Sequence, residues 1–158
     1  MSVAFRRDGD EEHLEPKFEI PIPPGPNLVT ARGLELIDAR VAALTEALAA
    51  LAGQGDDDPA IKSARRDLRY WQTRQITAEL MPAASGETAA FGTTVTFRLN
   101  GKARTLQIVG DDEADPANGL IAASAPLARA ILGAEAGELV EFGGKEDAIE
   151  ILTIAAGS

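Results

Sequence analysis

Apolar residues at alternating spacings of three and four form the strongest periodic pattern in the chain. They are Leu34, Ile37, Val41, Leu44, Leu48 and Leu51. A seam of this kind predicts an amphipathic helix whose apolar stripe must pack against another element. We expect the helix to begin near Thr30, which is a suitable N-cap, and to end at Gly53, where the sequence GQGDDDP breaks the pattern.

A second amphipathic stretch follows, from about residue 59 to residue 80. Its apolar stripe consists of Ile61, Ala64, Leu68, Trp71, Ile76 and Leu80. Because only about six residues connect the two helices, they are expected to be antiparallel neighbours, with Trp71 packed near their seam. The prediction is a helical hairpin over residues 29–82, a finger on the order of 33 Å long. Its tip carries Asp56, Asp57 and Asp58.

The periodicity changes in the C-terminal half. Strand-like runs over residues 93–99 and 103–109 flank Asn100-Gly101, a pair that favours a type I′ hairpin turn. Residues 126–132 are typical of a short helix, closed by Gly133.

A second β-hairpin is predicted near the end of the chain, with residues 138–142 and 148–154 joined across Gly143-Gly144. The predicted fold class is α+β. An N-terminal antiparallel helical hairpin is followed, over residues 86–158, by an antiparallel sheet with one short helix.

The composition limits the classes of function. A formal net charge of −10 argues against general nucleic-acid binding driven by counterion release, so any contact with RNA or DNA must be local. With no cysteine and one histidine, His13, a disulfide framework and a thiolate or histidine metal cluster are excluded. No apolar run approaches the ~20 residues of a membrane span, so we expect a soluble, cytoplasmic protein without membrane contact. Residues 1–28, acidic and rich in proline, are expected to form a flexible tail.

Short motifs in the C-terminal half follow one another in a specific order. They are Phe91-Gly92-Thr93-Thr94-Val95, Ile108-Val109-Gly110-Asp111-Asp112-Glu113-Ala114-Asp115-Pro116, Gly119-Leu120-Ile121, Pro126-Leu127-Ala128-Arg129-Ala130-Ile131-Leu132-Gly133 and Gly137-Glu138. In this order they resemble the C-terminal domain of the bacterial Gre transcript-cleavage factors. Thr30-Ala31-Arg32-Gly33 also matches the T-x-x-G helix start of that family, whereas Ala122 and Ala125 stand where the family usually has serines.

The resemblance implies a fold, a partner and an activity. The C-terminal domain would have the FKBP-like fold and bind RNA polymerase, while the finger would enter the secondary channel of that enzyme. The protein would be a monomer and not itself an enzyme: it would stimulate the intrinsic nuclease activity of the polymerase on backtracked RNA and so relieve arrest. Contacts with the partner are expected at Asp112, Glu113, Asp115, Pro126 and Arg129.

The resemblance also gives the acidic tip a role, because tip carboxylates of the family help to hold the second magnesium ion of the polymerase. Asp56, Asp57 and Asp58 would take this role, with Asp56 and Asp57 as Mg²⁺ ligands only within the polymerase complex and no cofactor bound to the chain alone. Cleaving members, however, carry a GD-x-x-EN tip, and Pro59 stands at the glutamate position. The predicted finger is also shorter than the finger of a cleaving member, by roughly one to two helical turns of about 5.4 Å each. The alternative is a non-cleaving, Gre-homologous regulator or inhibitor in the same channel.

Structural interpretations stay open for each of these groups. Asp58 before Pro59 fits a helix N-cap equally well. The second helix carries a basic patch, Lys62, Arg65, Arg66, Arg69 and Arg74. The first four could line the channel or contact the 3′ end of the nascent RNA, or they could form a solvated face paired with Glu35, Asp38 and Glu46 of the first helix.

The acidic loop at residues 111–116 lacks the spacing of a calcium loop, so a partner contact or a capped turn, bridged by Arg129, is favoured there. Two other classes of function remain as alternatives. Prolyl isomerase activity would need an aromatic-lined pocket, and the C-terminal half offers only Phe91, Phe97 and Phe142. A dimerisation coiled coil would instead predict an oligomer that depends on concentration.

Overall fold

A computed structural model of the chain describes residues 19–157. Residues 1–18 of the predicted flexible tail therefore lie outside the described residues. The described chain divides into two compact units, and we treat each by itself. The first unit contains residues 19–24 and Asp38–Ile76, and the second contains Gly25–Ile37 and the chain from Thr77 onward.

The first unit is built from two helices, α1 (Ala31–Ala50), whose first seven residues belong to the second unit, and α2 (Pro59–Thr77). The two helices are antiparallel, as the short connection requires, because residues near the start of α1 contact residues near the end of α2. Gln75 Nε2 donates a hydrogen bond to Asp38 Oδ1 at 2.9 Å, and the Arg40 guanidinium lies 5.6 Å from the Trp71 ring centroid. Near the other end, Leu51 and Ile61 line the same depression. The predicted antiparallel helical hairpin is present.

Both helices end earlier than the sequence predicts. The first helix stops at Ala50 and is followed by a loop in which Gly53 has a φ of +98°, a left-handed conformation that glycine adopts without strain. The second stops at Thr77, so the predicted continuation to residue 80 is wrong. Ile76 and Leu80, which we counted in the apolar stripe, are 82% and 56% exposed.

The reason for the early end lies in strand pairing within the second unit. Residues that we expected in the second helix form strand β2 (Ala78–Leu80), which pairs in parallel with β1 (Asn27–Val29). The Met81 N–H continues this pairing to the Val29 carbonyl at 2.9 Å. Residues 78–80 thus pair with β1 instead of continuing the helix, although their apolar spacing fits a helix. The predicted flexible tail, residues 1–28, also ends earlier, because β1 begins at Asn27.

The second unit contains a five-stranded sheet in the order β5-β4-β3-β7-β6. Its strands are β3 (Thr94–Leu99), β4 (Lys102–Val109), β5 (Leu120–Ala122), β6 (Leu139–Phe142) and β7 (Lys145–Ala155), and its helix is α3 (Pro126–Ile131). The β3–β4, β3–β7 and β6–β7 pairs are antiparallel, whereas β5 lies parallel to β4. The α+β class is confirmed, but β5, which we did not predict, makes the sheet mixed.

The core of the second unit lies between one face of the sheet and α3. It consists of Ala89, Val95, Phe97, Leu106, Ile108, Ile121, Leu127, Ala128, Ile131, Ala134, Ile149 and Ile151. Val95 and Phe97 of β3 alternate with more exposed residues, as the period of two along a strand requires. The predicted hairpin turn is confirmed, because Asn100 and Gly101 both have positive φ, +53° and +80°.

Candidate functional site

The loop between α1 and α2 presents exposed carboxylates. The Asp56 side chain is 84% exposed and accepts a hydrogen bond from Arg65 Nη2, 3.2 Å from Asp56 Oδ1. Asp57 is also exposed. An ion pair at such exposure contributes little free energy, so the Asp56 carboxylate can exchange Arg65 for another partner.

Asp58 has a different position from its two neighbours. Its Oδ1 accepts a hydrogen bond from the Ala60 N–H at 2.8 Å, and its carbonyl accepts from the Ile61 N–H at 3.0 Å. With Pro59 as the first residue of α2, this is an N-cap, and it satisfies a backbone donor that the helix leaves unpaired. The capping interpretation therefore describes Asp58, which leaves Asp56 and Asp57 as the available carboxylates.

The chemistry of the tip fits a shared magnesium ion only in part. Carboxylate oxygens are the ligands that Mg²⁺ prefers, and both Asp56 and Asp57 are accessible. Among residues 19–157, however, no three histidine or acidic side chains are grouped so that they could hold a metal ion. A role for the tip as ligands of a site completed by other groups therefore stays a prediction.

Three of the five basic side chains of α2 have carboxylate partners. Arg65 contacts Asp56, Arg66 Nη2 lies 2.9 Å from Asp67 Oδ1, and Arg69 donates two hydrogen bonds to Glu19. These carboxylates are not the ones predicted on the first helix: Asp38, for example, binds Gln75 instead. Lys62 is exposed, whereas Arg74 is only 1% exposed and does not belong to the exposed face.

Glu19 is affected electrostatically by this pairing. The hydrogen bond from Arg69 holds the pKa of the Glu19 carboxyl below its ordinary value, and the charges of Arg69 and Arg66 act in the same direction. Sequence reasoning missed Glu19, because the residue lies fifty positions before Arg69 and no local pattern marks it.

In the second unit, Glu113 joins the acidic loop to the start of α1. The residue is 7% exposed. Its Oε1 accepts from the Thr30 hydroxyl at 2.6 Å, and its Oε2 accepts from Arg32 Nε at 2.5 Å. Thr30 Oγ1 in turn accepts from the Gly33 N–H at 3.0 Å, which is the predicted N-cap. The Glu113 carboxylate is therefore engaged inside the protein, and contact with a partner stays a prediction for it.

Two glycines permit this arrangement. A Cβ at Gly33 would lie 2.9 Å from Glu113 Oε1, so the absence of a side chain makes room for the carboxylate. A Cβ at Gly110 would lie 2.3 Å from the Leu28 carbonyl oxygen, where no atom fits. The T-x-x-G helix start at residues 30–33 and the acidic motif at residues 108–116, which the sequence presents separately, thus meet in one cluster of side chains.

The remaining predicted contact residues lie on the surface of the second unit. Asp112 and Asp115 are half-buried, and Asp115 Oδ2 accepts from Asn118 Nδ2 at 2.6 Å. Pro126 begins α3, and Arg129 lines a shallow depression with Phe142. In the described part of the chain Arg129 makes no ion pair with the acidic loop, so the predicted bridge is wrong; Arg129 is exposed and lines that depression instead.

Comparison with known proteins finds a similarity for the C-terminal half of the chain. Residues 84–156 match the model of the GreA/GreB transcription elongation factor C-terminal domain. Residues 84–156 are thus similar to the GreA/GreB C-terminal domain, over just under half of the chain. The predicted contact residues Asp112, Glu113, Asp115, Pro126 and Arg129 all fall inside the GreA/GreB domain, whereas the acidic tip and the basic face of α2 fall outside it.

Relatives of the GreA/GreB family match over part of their length. Transcription elongation factor GreA of Chelativorans sp. is 46% identical over 59 residues, 36% of this chain and 38% of the relative. Transcription elongation factor GreA of Thioalkalivibrio sulfidiphilus is 44% identical over 68 residues, 40% of this chain and 43% of the relative. The chain thus matches less than half the length of each.

A solved structure of GreA factor homolog 1 from Thermus thermophilus is also similar. It is 18% identical with a TM-score of 0.38, covering 82% of this chain and 99% of that one, a likeness too low to argue from.

No helix within residues 19–157 is long and apolar enough to cross a membrane.

Proposed function

We propose that the protein is a transcription elongation factor that binds RNA polymerase and brings the tip of its helical hairpin to the active centre of that enzyme. The observation that carries the proposal is the GreA/GreB domain at residues 84–156, together with relatives named transcription elongation factor GreA. The protein would be an accessory factor, acting as a monomer, and the nuclease activity would belong to the polymerase.

In this proposal the GreA/GreB domain provides the docking surface. Arg129 and Pro126 are exposed on α3, and Arg129 faces a depression lined in part by Phe142. A cation beside an apolar edge suits a partner surface that offers both a carboxylate and an apolar side chain. Asp112 and Asp115 would extend this surface through the neighbouring loop.

The tip would assist cleavage of backtracked RNA through Asp56 and Asp57. Both carboxylates are exposed, and Asp56 has only a weak ion pair to give up. Bound magnesium would polarise the scissile phosphodiester and lower the pKa of a water molecule. The two aspartates would complete the oxygen ligands of that ion and hold the attacking water in place, while Asp58 keeps the first turn of α2 in register.

The basic face of α2 would position the RNA. Arg65, Arg66 and Arg69 are separated by the spacings that place side chains on one side of a helix, and each is already held by a carboxylate in the free protein. Guanidinium groups bind phosphate in the same forked geometry as carboxylate, so the nascent 3′ segment could replace these internal partners.

Transcript cleavage by stalled, backtracked RNA polymerase with magnesium tests the proposal. We expect the wild-type protein to stimulate cleavage, and Asp56→Ala/Asp57→Ala to bind polymerase normally but to lose most of the stimulation, on the order of a hundredfold, as expected when positioned catalytic groups are removed. Glu79→Ala/Glu146→Ala is the matched control, because it removes two exposed carboxylates from strands outside the tip.

The same experiment can contradict the proposal in two ways. Failure of the wild-type chain to bind polymerase would refute the function as a whole. Binding with slowed elongation and without cleavage would instead assign the chain to the non-cleaving regulators.

A further inference from the structure

The segment that precedes β1 in the chain is stiff and partly buried. Residues 20–26 read IPIPPGP, with four prolines that fix φ near the polyproline value. Although the segment is neither helix nor strand, Ile20 and Pro23 are half-buried. A segment of this composition loses little conformational entropy when it is held against a surface, because it has little freedom to lose.

Glu19, directly before these residues, has a specific partner on α2. Arg69 Nε donates to Glu19 Oε1 at 2.9 Å, and Arg69 Nη2 donates to Glu19 Oε2. Two parallel hydrogen bonds between a guanidinium and a carboxylate form the forked geometry that arginine also uses for phosphate. The Glu19 carboxylate therefore occupies the positions on Arg69 that a phosphate oxygen would take.

This pairing differs from the other two on the basic face. Asp67 is the sequence neighbour of Arg66, and Asp56 lies nine positions before Arg65, in the loop that leads into the same helix. Glu19 lies fifty positions from Arg69 and is delivered by a segment outside the helical hairpin. Of these three pairs, described for residues 19–157, the Glu19 contact alone can be broken by moving a segment that is not part of α2 or its tip loop.

We propose that Glu19 is a built-in competitor for the anionic ligand of Arg69, so that the segment from residue 19 to residue 24 restrains binding of a single-stranded phosphodiester to the basic face of α2. This inference rests on the proposed function, because that function supplies the nucleic-acid ligand. The Arg69 and Glu19 side chains are 53% and 45% exposed, so the contact is solvated and reversible. A contact this weak would allow RNA to displace Glu19 from Arg69.

Binding of a short fluorescein-labelled single-stranded RNA to the full chain, measured by anisotropy at low and moderate salt, tests the inference. Glu19→Gln keeps the shape of the side chain but removes the charge, and we expect it to tighten binding by about two- to fivefold, the range that an exposed ion pair allows. Glu79→Gln is the matched control, since it changes the net charge equally at an exposed position of β2, outside α2 and its tip loop, and it should leave affinity nearly unchanged.

A double-mutant cycle locates the effect. In the Arg69→Gln background, Glu19→Gln should no longer tighten binding, because its partner is gone. The inference is overturned if Glu19→Gln and Glu79→Gln act alike, if the gain persists without Arg69, or if no variant binds the RNA.

Failure of the inference and failure of the proposed function give different results. Tighter RNA binding by Glu19→Gln in a protein that does not associate with polymerase would refute the function and leave the competitor in place. Normal transcript cleavage with no effect of Glu19→Gln on RNA affinity would refute the competitor alone.

Discussion

Two helices of this protein begin beside acidic residues, and the two groups of carboxylates have opposite surroundings. At the start of α1, Glu113 is 7% exposed and accepts hydrogen bonds from Thr30 and Arg32. At the start of α2, Asp56 is 84% exposed and has one long contact to Arg65. A carboxylate near a helix N-terminus is therefore not a functional group by type alone: burial commits Glu113 to the fold, and exposure leaves Asp56 available for a ligand.

The largest effect should come from the glycine that places the buried acidic turn. Gly110→Ala would put a Cβ 2.3 Å from the Leu28 carbonyl oxygen, and a backbone atom cannot move aside cheaply. We expect the free energy of unfolding of the second unit to fall by about 3 kcal/mol, the upper end of overpacking penalties. Urea unfolding followed by circular dichroism measures it. Gly55→Ala, where a Cβ meets no atom within 4 Å, is the control, and an equal loss there would argue against a steric cause.

Removing the buried Glu113 carboxylate should lower the free energy of unfolding somewhat less than Gly110→Ala does. Glu113→Ala leaves the buried Thr30 hydroxyl and Arg32 Nε without their acceptor, while Arg32 Nη2 keeps its hydrogen bond to Gln107 Oε1, and we expect a loss of about 2 kcal/mol in the free energy of unfolding. Because the Arg32 side chain is 59% exposed and can turn to water, the loss should stay below that of a fully buried pair.

A conservative variant sharpens the result for Glu113. Glu113→Gln keeps one carbonyl acceptor for Thr30 but presents an amide donor to Arg32, so its loss should fall between those of wild type and alanine. If neither Glu113→Ala nor Glu113→Gln lowered the free energy of unfolding, the cluster would not hold the start of α1.

Sequence reasoning recovered the parts of the fold that local patterns encode. The Asn100-Gly101 turn and helix α3 depend on residues that are close in sequence, and both are present. The β1–β2 pair was missed, because three-residue strands joined across the helical hairpin have no periodicity of their own. Apolar Ile76 and Leu80 fitted the helical spacing but are exposed, so spacing alone was misleading there.

The residues of the candidate site likewise divide into those that a local sequence signal marks and those that depend on contacts between distant residues. Asp58 could be recognised as a cap because Asp-Pro at a helix start is a local signal. The contact of Glu113 with Thr30 joins residues 83 positions apart, and the contact of Glu19 with Arg69 joins residues fifty apart. Motifs marked the first pair without revealing that its members touch, and nothing in the sequence marked the second.

The smallest effects on stability should separate the aspartates of the tip from one another. Asp58→Ala removes the acceptor for the Ala60 N–H, and we expect it to lower the free energy of unfolding of the helical hairpin by about 1 kcal/mol, as for other N-caps. Asp56→Ala breaks only an exposed pair and should change stability by less than about 0.5 kcal/mol. Thermal unfolding of the two variants side by side measures the difference. If Asp56→Ala were as destabilising as Asp58→Ala, the exposed carboxylates would be structural too, and the contrast between the two helix starts would not hold.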